Sequence, residues 1–142
     1  MLLSARHTGI VVKNLTKSLD FYTSLGFVEQ SRDTESGYFI EQVTGICGVT
    51  LHWVKLSLSD GFLLEILKYE QNKCQKLEPP EPSKLGCSHI AFTVSNAQDV
   101  CQKIESLGGK VINQPAKSPN GQVKVAYCYD TENILLEIVE VL

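Results

Sequence analysis

Two histidines and two glutamates stand out as residues that could do chemistry: His7, Glu65, His89 and Glu137. Each glutamate interrupts an apolar run, and the tetrapeptide around it occurs twice, as Leu63-Leu64-Glu65-Ile66 and Leu135-Leu136-Glu137-Ile138. Both runs are apolar on the two parities of a strand, so neither glutamate is simply the wet side of a half-buried strand. A carboxylate in that setting must be paired, protonated or bound to a cation, because burying it alone is far too costly. A histidine occupies a matching earlier position in each half. Two imidazoles and two carboxylates suit a divalent first-row ion in octahedral geometry, leaving two positions for water or substrate. A closed structural zinc site would more usually include cysteine. The expected cofactor is therefore a divalent ion: nickel, cobalt, zinc or manganese.

The elements that must position these side chains repeat as well. His7-Thr8-Gly9-Ile10-Val11-Val12 is β-like. Asn14 or Thr16 can cap a helix carrying Leu19, Tyr22 and Leu25, which Gly26 stops. Phe27-Val28-Glu29-Gln30 follows as a second strand. In the other half, His89-Ile90-Ala91-Phe92-Thr93-Val94 leads to a capping box at Ser95 and Gln98. Ala97, Val100, Cys101, Ile104 and Leu107 then share a helical face before Gly108-Gly109. Nineteen residues separate His7 from Gly26, and nineteen separate His89 from Gly108. The chain is an internal duplication. Strands over 49–58 and 123–129, turns at 59–61 and 130–133, and the two L-L-E-I strands complete each half. The first half is about ten residues longer, with the insertion placed around Ser36 to Gly48.

One α+β domain over 1–142 is expected, with modules at about 5–70 and 85–142 joined by a Pro-rich linker, 71–84, extended from Glu78 to Lys84. Strand parity places Ile90, Phe92 and Val94 toward the helix and His89 on the opposite face with Ala91 and Thr93. The first half repeats this, with Ile10 and Val12 inward and His7 with Gly9 outward. The four ligands can then converge if the halves pair symmetrically. A lone histidine on a strand is more often structural, and His52 is read that way, because the other half has no counterpart. Tyr22, Trp53 and Tyr127 are read as core or cleft lining.

The net charge of −3 gives no reason to expect nucleic acid or an anionic membrane as partner. Five cysteines (Cys47, Cys74, Cys87, Cys101, Cys128) form no C-x-x-C pair and read as reduced thiols. The first residues are too short for a signal peptide, and no apolar run reaches membrane-spanning length. A cytoplasmic location is expected.

Several stretches together resemble the vicinal oxygen chelate superfamily, which groups glyoxalase I, methylmalonyl-CoA epimerase, extradiol dioxygenases and drug-resistance proteins. They are His7 with Ser18-Leu19-Asp20-Phe21-Tyr22 and Leu25-Gly26-Phe27, Gly86-Cys87-Ser88-His89-Ile90-Ala91-Phe92, and Asp130 to Glu137. In the last of these Asn133 replaces the family glycine at a left-handed turn position. The resemblance implies two tandem βαβββ modules forming an open, eight-stranded barrel-like cleft, commonly in a homodimer. It also implies histidine, glutamate, histidine and glutamate as ligands, the glyoxalase I pattern; methylmalonyl-CoA epimerases usually carry glutamine where Glu65 stands. Relatives using glutathione tend to place arginine where Val11 stands and asparagine where Tyr69 stands.

The expected activity is a metal-dependent lyase or isomerase, glyoxalase I-like or epimerase-like, that transfers a proton next to a carbonyl of a small oxygenated substrate. Glu137 or Glu65 could be the base. Glu41 is a further candidate, because epimerases place a glutamate on a strand before the second ligand. No cysteine or serine is set up beside a base, so covalent catalysis lacks a candidate. Two alternatives stay open. An extradiol-type iron(II) dioxygenase needs only three protein ligands, and a non-enzymic small-molecule binding protein of the drug-resistance type needs no metal.

Overall fold

In each half, an apolar stripe on one helix covers one face of a sheet whose other face carries the histidine and the glutamate. The computed structural model describes residues 1–70 and 78–142, so Cys74 and part of the 71–84 linker lie outside the described residues. The chain forms two compact units, Met1–Gln75 and Lys76–Leu142. Among the described residues no helix is long and apolar enough to cross a membrane.

The first unit runs β1 (Thr8–Val11), α1 (Leu15–Ser24), β2 (Val28–Ser36), α2 (Tyr38–Thr44), β3 (Thr50–Ser57) and β4 (Leu63–Tyr69). Its sheet order is β1-β4-β3-β2, with β1 and β4 parallel and the other pairs antiparallel. Asn14 starts α1, its side chain accepting from the Lys17 N–H at 3.0 Å, and Gly26 follows the helix with φ 106°. Phe21 and Tyr22 are buried on the inner side of α1. Ile10, Val12, Val54, Leu56, Leu64 and Ile66 are buried too and share one parity of the sheet. The insertion expected at 36–48 holds α2, a helix that the sequence pattern did not announce.

The second unit runs β5 (Ile90–Val94), α3 (Ala97–Ser106), β6 (Lys110–Val111), β7 (Ala116–Lys117), β8 (Val123–Tyr129) and β9 (Leu135–Val141). The order is β5-β9-β8-β6, with β7 also on β8. The module thus repeats the βαβββ order, but its second strand is two short pieces on β8. Pro115, which has no N–H to give to a ladder, lies in the break. Ala97, Cys101 and Ile104 of α3 are buried with Leu136, Ile138, Ala126 and Cys128.

Two details differ from expectation. Asn96, not Ser95, caps α3, accepting from the Asp99 N–H at 3.0 Å, and Gln98 instead donates to Gln114. Residues 82–86 turn instead of running extended, held by Lys84 N–H to Glu81 O (3.0 Å) and Cys87 N–H to Lys84 O (2.9 Å). At the turn before β9, Asn133 adopts φ 65°, and Asp130 accepts from the N–H groups of Glu132 and Ile134. The family turn survives its lost glycine in this way.

Candidate functional site

β1 and β4 are parallel with Gly9 opposite Glu65, so His7, two residues before Gly9, lies on the same face as that carboxylate. Leu64 and Ile66 point the other way and are fully buried. Glu65 is left on the open face with 14% of its side chain exposed, and His7 Nε2 lies 3.0 Å from Glu65 Oε2. The second unit repeats the construction. Ala91 on β5 is opposite Glu137 on β9, and His89 Nε2 lies 3.1 Å from Glu137 Oε2, with 24% of the glutamate side chain exposed.

The structure therefore brings the four predicted ligands together as two pairs, one in each unit. Among the described residues no group of three or more His, Cys, Asp or Glu side chains gathers at a metal-binding distance. Each pair by itself fits a metal edge. Adjacent ligands of an octahedral ion with bonds of about 2.1 Å lie about 3 Å apart, close to the spacing seen. The same spacing suits an imidazole N–H donating to a carboxylate, so each pair is satisfied without a metal.

The third cross-strand neighbour differs between the units. On β3, Lys55 is opposite Glu65, and its Nζ lies 3.6 Å from Oε1. On β8 the equivalent place opposite Glu137 is Tyr127, whose ring centroid is 5.4 Å from that of His89. Lys55 is a site residue that motif reading missed; only the β3–β4 register reveals it. Its ammonium also lies over the Trp53 ring, 4.5 Å from the centroid.

Glu41 is on α2 rather than on a strand, and its Oε1 accepts from the Gly48 N–H at 2.8 Å, closing the loop after the helix. His52 sits between Thr34 Oγ1 and Glu70 Oε1, at 2.8 Å from each, apart from the His7–Glu65 pair. Tyr22 is fully buried, while Trp53 and Tyr127 are partly exposed. Cys101 and Cys128 are buried with 3.8 Å between their sulfurs, and burial pushes the Cys128 thiol up to about 12. Such a thiol is no nucleophile.

The twin-module α+β fold is shared with solved glyoxalase-family structures. The chain belongs to the Glyoxalase/Bleomycin resistance protein/Dioxygenase superfamily, whose model matches residues 4–138. It is 26% identical to the lactoylglutathione lyase of Escherichia coli O157:H7, over 94% of this chain and 90% of that one. It is 32% identical to the lactoylglutathione lyase of Schizosaccharomyces pombe, over 94% of this chain but 46% of the relative. A glyoxalase family protein from Bacillus cereus superposes with a TM-score of 0.91 at 20% identity, covering 100% of this chain and 96% of that one. Glyoxalase I from Zea mays superposes at 0.67 and 18% identity, covering 96% and 46%.

Proposed function

We propose that this chain is a divalent-metal-dependent lyase or isomerase that moves a proton next to a carbonyl of a small oxygenated substrate. The observation that carries this reading is the recurrence of one His–Glu pair at equivalent places in the two modules. His7, Glu65, His89 and Glu137 would together hold the ion, either within one chain or between two copies of it. When bound there, the ion would supply Lewis-acid polarisation of substrate oxygens.

The proton is assigned to a carboxylate of this chain. Both oxygens of Glu65 are engaged, by His7 and by Lys55. Glu137 Oε2 faces His89, and among the described residues its Oε1 takes no ion pair. Glu137 is therefore the base we favour, with a contribution of ~10²–10⁴-fold in rate. Glu41 is turned to Gly48, and we assign it no part in the proton transfer.

The lactoylglutathione lyases support the reaction class rather than the substrate. Val11, on the same sheet face as Glu65, is 43% exposed and offers neither charge nor hydrogen bond to a peptide-like substrate. Poor turnover of the glutathione adduct of methylglyoxal is expected. The test incubates metal-loaded protein in deuterated water with α-hydroxyketones, 2-methyl-acyl thioesters and cyclitol ketones. Solvent exchange that needs the metal and falls at least a hundredfold in Glu137→Gln is the expected result. Oxygen consumption with catechols and no exchange with any of these compounds would replace this reading with a dioxygenase.

A further inference from the structure

A second hydrogen-bonded array stands apart from the two histidine–glutamate pairs. Thr34 on β2 is directly opposite His52 on β3, and its Oγ1 lies 2.8 Å from His52 Nδ1. Glu70 follows β4, its N–H donating to the Thr50 carbonyl at 3.1 Å, and its Oε1 lies 2.8 Å from His52 Nε2. A carboxylate only accepts, so Nε2 carries the proton. In the neutral ring Nδ1 is then the acceptor, and the Thr34 hydroxyl donates to it. Sequence reading found no cysteine or serine beside a base, whereas strand register places a threonine there. His52 and Lys55 are three positions apart on β3, so the array occupies the face opposite the His7–Glu65 pair. It borders a surface cavity of about 370 Å³ that Leu15 of α1 and Val54 also line. Arg32, two residues before Thr34 on β2, lines the same cavity. Its Nε and Nη2 donate to Glu29, and among the described residues its Nη1 takes no partner.

From this arrangement we infer that Thr34, His52 and Glu70 form a hydroxyl-activating relay, a second catalytic site that transfers short acyl groups from esters to water. Thr34 Oγ1 bonds to the ester carbonyl carbon while its proton passes to His52 Nδ1. The imidazolium, held at Nε2 by Glu70, returns that proton to the departing alkoxide as the ester C–O bond breaks. An alcohol leaves, and the acyl group stays on Thr34. Water then attacks the acyl carbon and gives a proton to His52, which passes it to Thr34 Oγ1 as the carboxylic acid departs. Arg32 is the cavity's cation for the negative charge that develops on the carbonyl oxygen. The cavity is at the small end of the range for ligand pockets, so the acyl chain is short. Thr34 and His52 touch the reacting atoms, whereas Glu70 positions the ring. No metal enters this chemistry.

The experiment incubates the full chain with para-nitrophenyl butanoate, with and without a chelator. Nitrophenolate release is followed, and adducts are located by peptide mass spectrometry. The expected result is a butanoyl group on Thr34, formed in a burst at the same rate with the chelator present. Thr34→Val should lose the burst and the adduct, while Thr34→Ser, which keeps a hydroxyl, should retain both. His52→Gln should slow acylation about a hundredfold. Glu70→Leu frees the ring to carry its proton on either nitrogen. Nitrogen NMR of His52 should then show the Nδ1–H form appearing as acylation slows, and Glu70→Asp should restore the parent tautomer. Lys68 lies across the β3–β4 ladder from His52 and is the neighbouring amine that could compete for the acyl group. No adduct, an adduct on Lys68 in place of Thr34, acylation lost in Thr34→Ser, acylation unchanged in His52→Gln, a tautomer unmoved in Glu70→Leu, or a rate lost to the chelator would each overturn the relay.

Discussion

Glu65 and Glu137 occupy equivalent places in their modules, yet their surroundings differ by one positive charge. Lys55 stands across the ladder from the first and Tyr127 from the second. The glutamates themselves were legible in the sequence, because a charge inside an apolar run has few explanations and the run occurs twice. Lys55 was not legible, because its contact with Glu65 depends on strand register, which periodicity leaves open. Glu140 is similar. It lies on β9, forty-three residues from its partner, and its Oε2 accepts from the Ala97 N–H at the start of α3 at 2.9 Å. That hydrogen bond foremost, with the Lys124 ammonium 3.3 Å from Oε1, outweighs desolvation and holds the carboxyl below its ordinary value of 4.5. The unfolded chain therefore takes up the proton first as pH falls. The stabilisation is complete above the ordinary value and fades as pH drops through the lowered one. Glu140→Gln should melt below the parent at about pH 7 and approach it progressively as the pH falls through the lowered value and the glutamate takes up its proton. A melting difference that does not shrink as the pH falls would refute this role.

At the scale of elements, the sequence pattern identified most strands and both long helices, since buried positions recur at clear periods. It missed α2 because seven residues make too short a window for a helical period to show. It also chose the wrong cap for α3, since Ser95 and Asn96 are adjacent and both suited, and only backbone geometry separates them. Glu41, the further base candidate, lies in the same insertion: because 38–44 is helical, its carboxylate reaches the Gly48 N–H instead of lying on the expected strand. Gly109 shows how tightly α3 leads into β6. A Cβ there would lie 2.6 Å from the Tyr129 carbonyl oxygen and 2.7 Å from Ile104 Cγ2, so the need is for space. Ile104 is fully buried, leaving little room to shift. Gly109→Ala should destabilise the protein by ~1–3 kcal/mol, the usual effect of overpacking. Urea unfolding measures it, and an unchanged midpoint would mean that this junction is softer than its contacts imply.

At the scale of the molecule, the duplication sets what the proposed metal binding would look like. Each module would supply one histidine and one glutamate, two donors where an octahedral site with two open positions takes four. If the two pairs act together, metal saturates at one ion per chain, whether the second pair comes from the same chain or from another copy. If each pair binds alone, saturation reaches two. Single variants separate the cases further: His7→Ala should abolish most binding in the joint site, although His89 and Glu137 remain, and should leave half the ions in independent sites. A pair drawn from a second copy adds a concentration dependence, because diluting the protein would then weaken binding. Stabilisation follows the same logic, since an ion held only by the folded protein raises its stability by about 2.7 kcal/mol at a free concentration one hundred times its dissociation constant. That gain should disappear in His7→Ala and in His89→Ala alike. The measurements are equilibrium dialysis with nickel, cobalt, zinc and manganese and thermal unfolding across protein concentrations. One ion per chain, lost in either histidine variant, is the expected outcome; two ions per chain, with one retained in each variant, would show that the modules are separate sites.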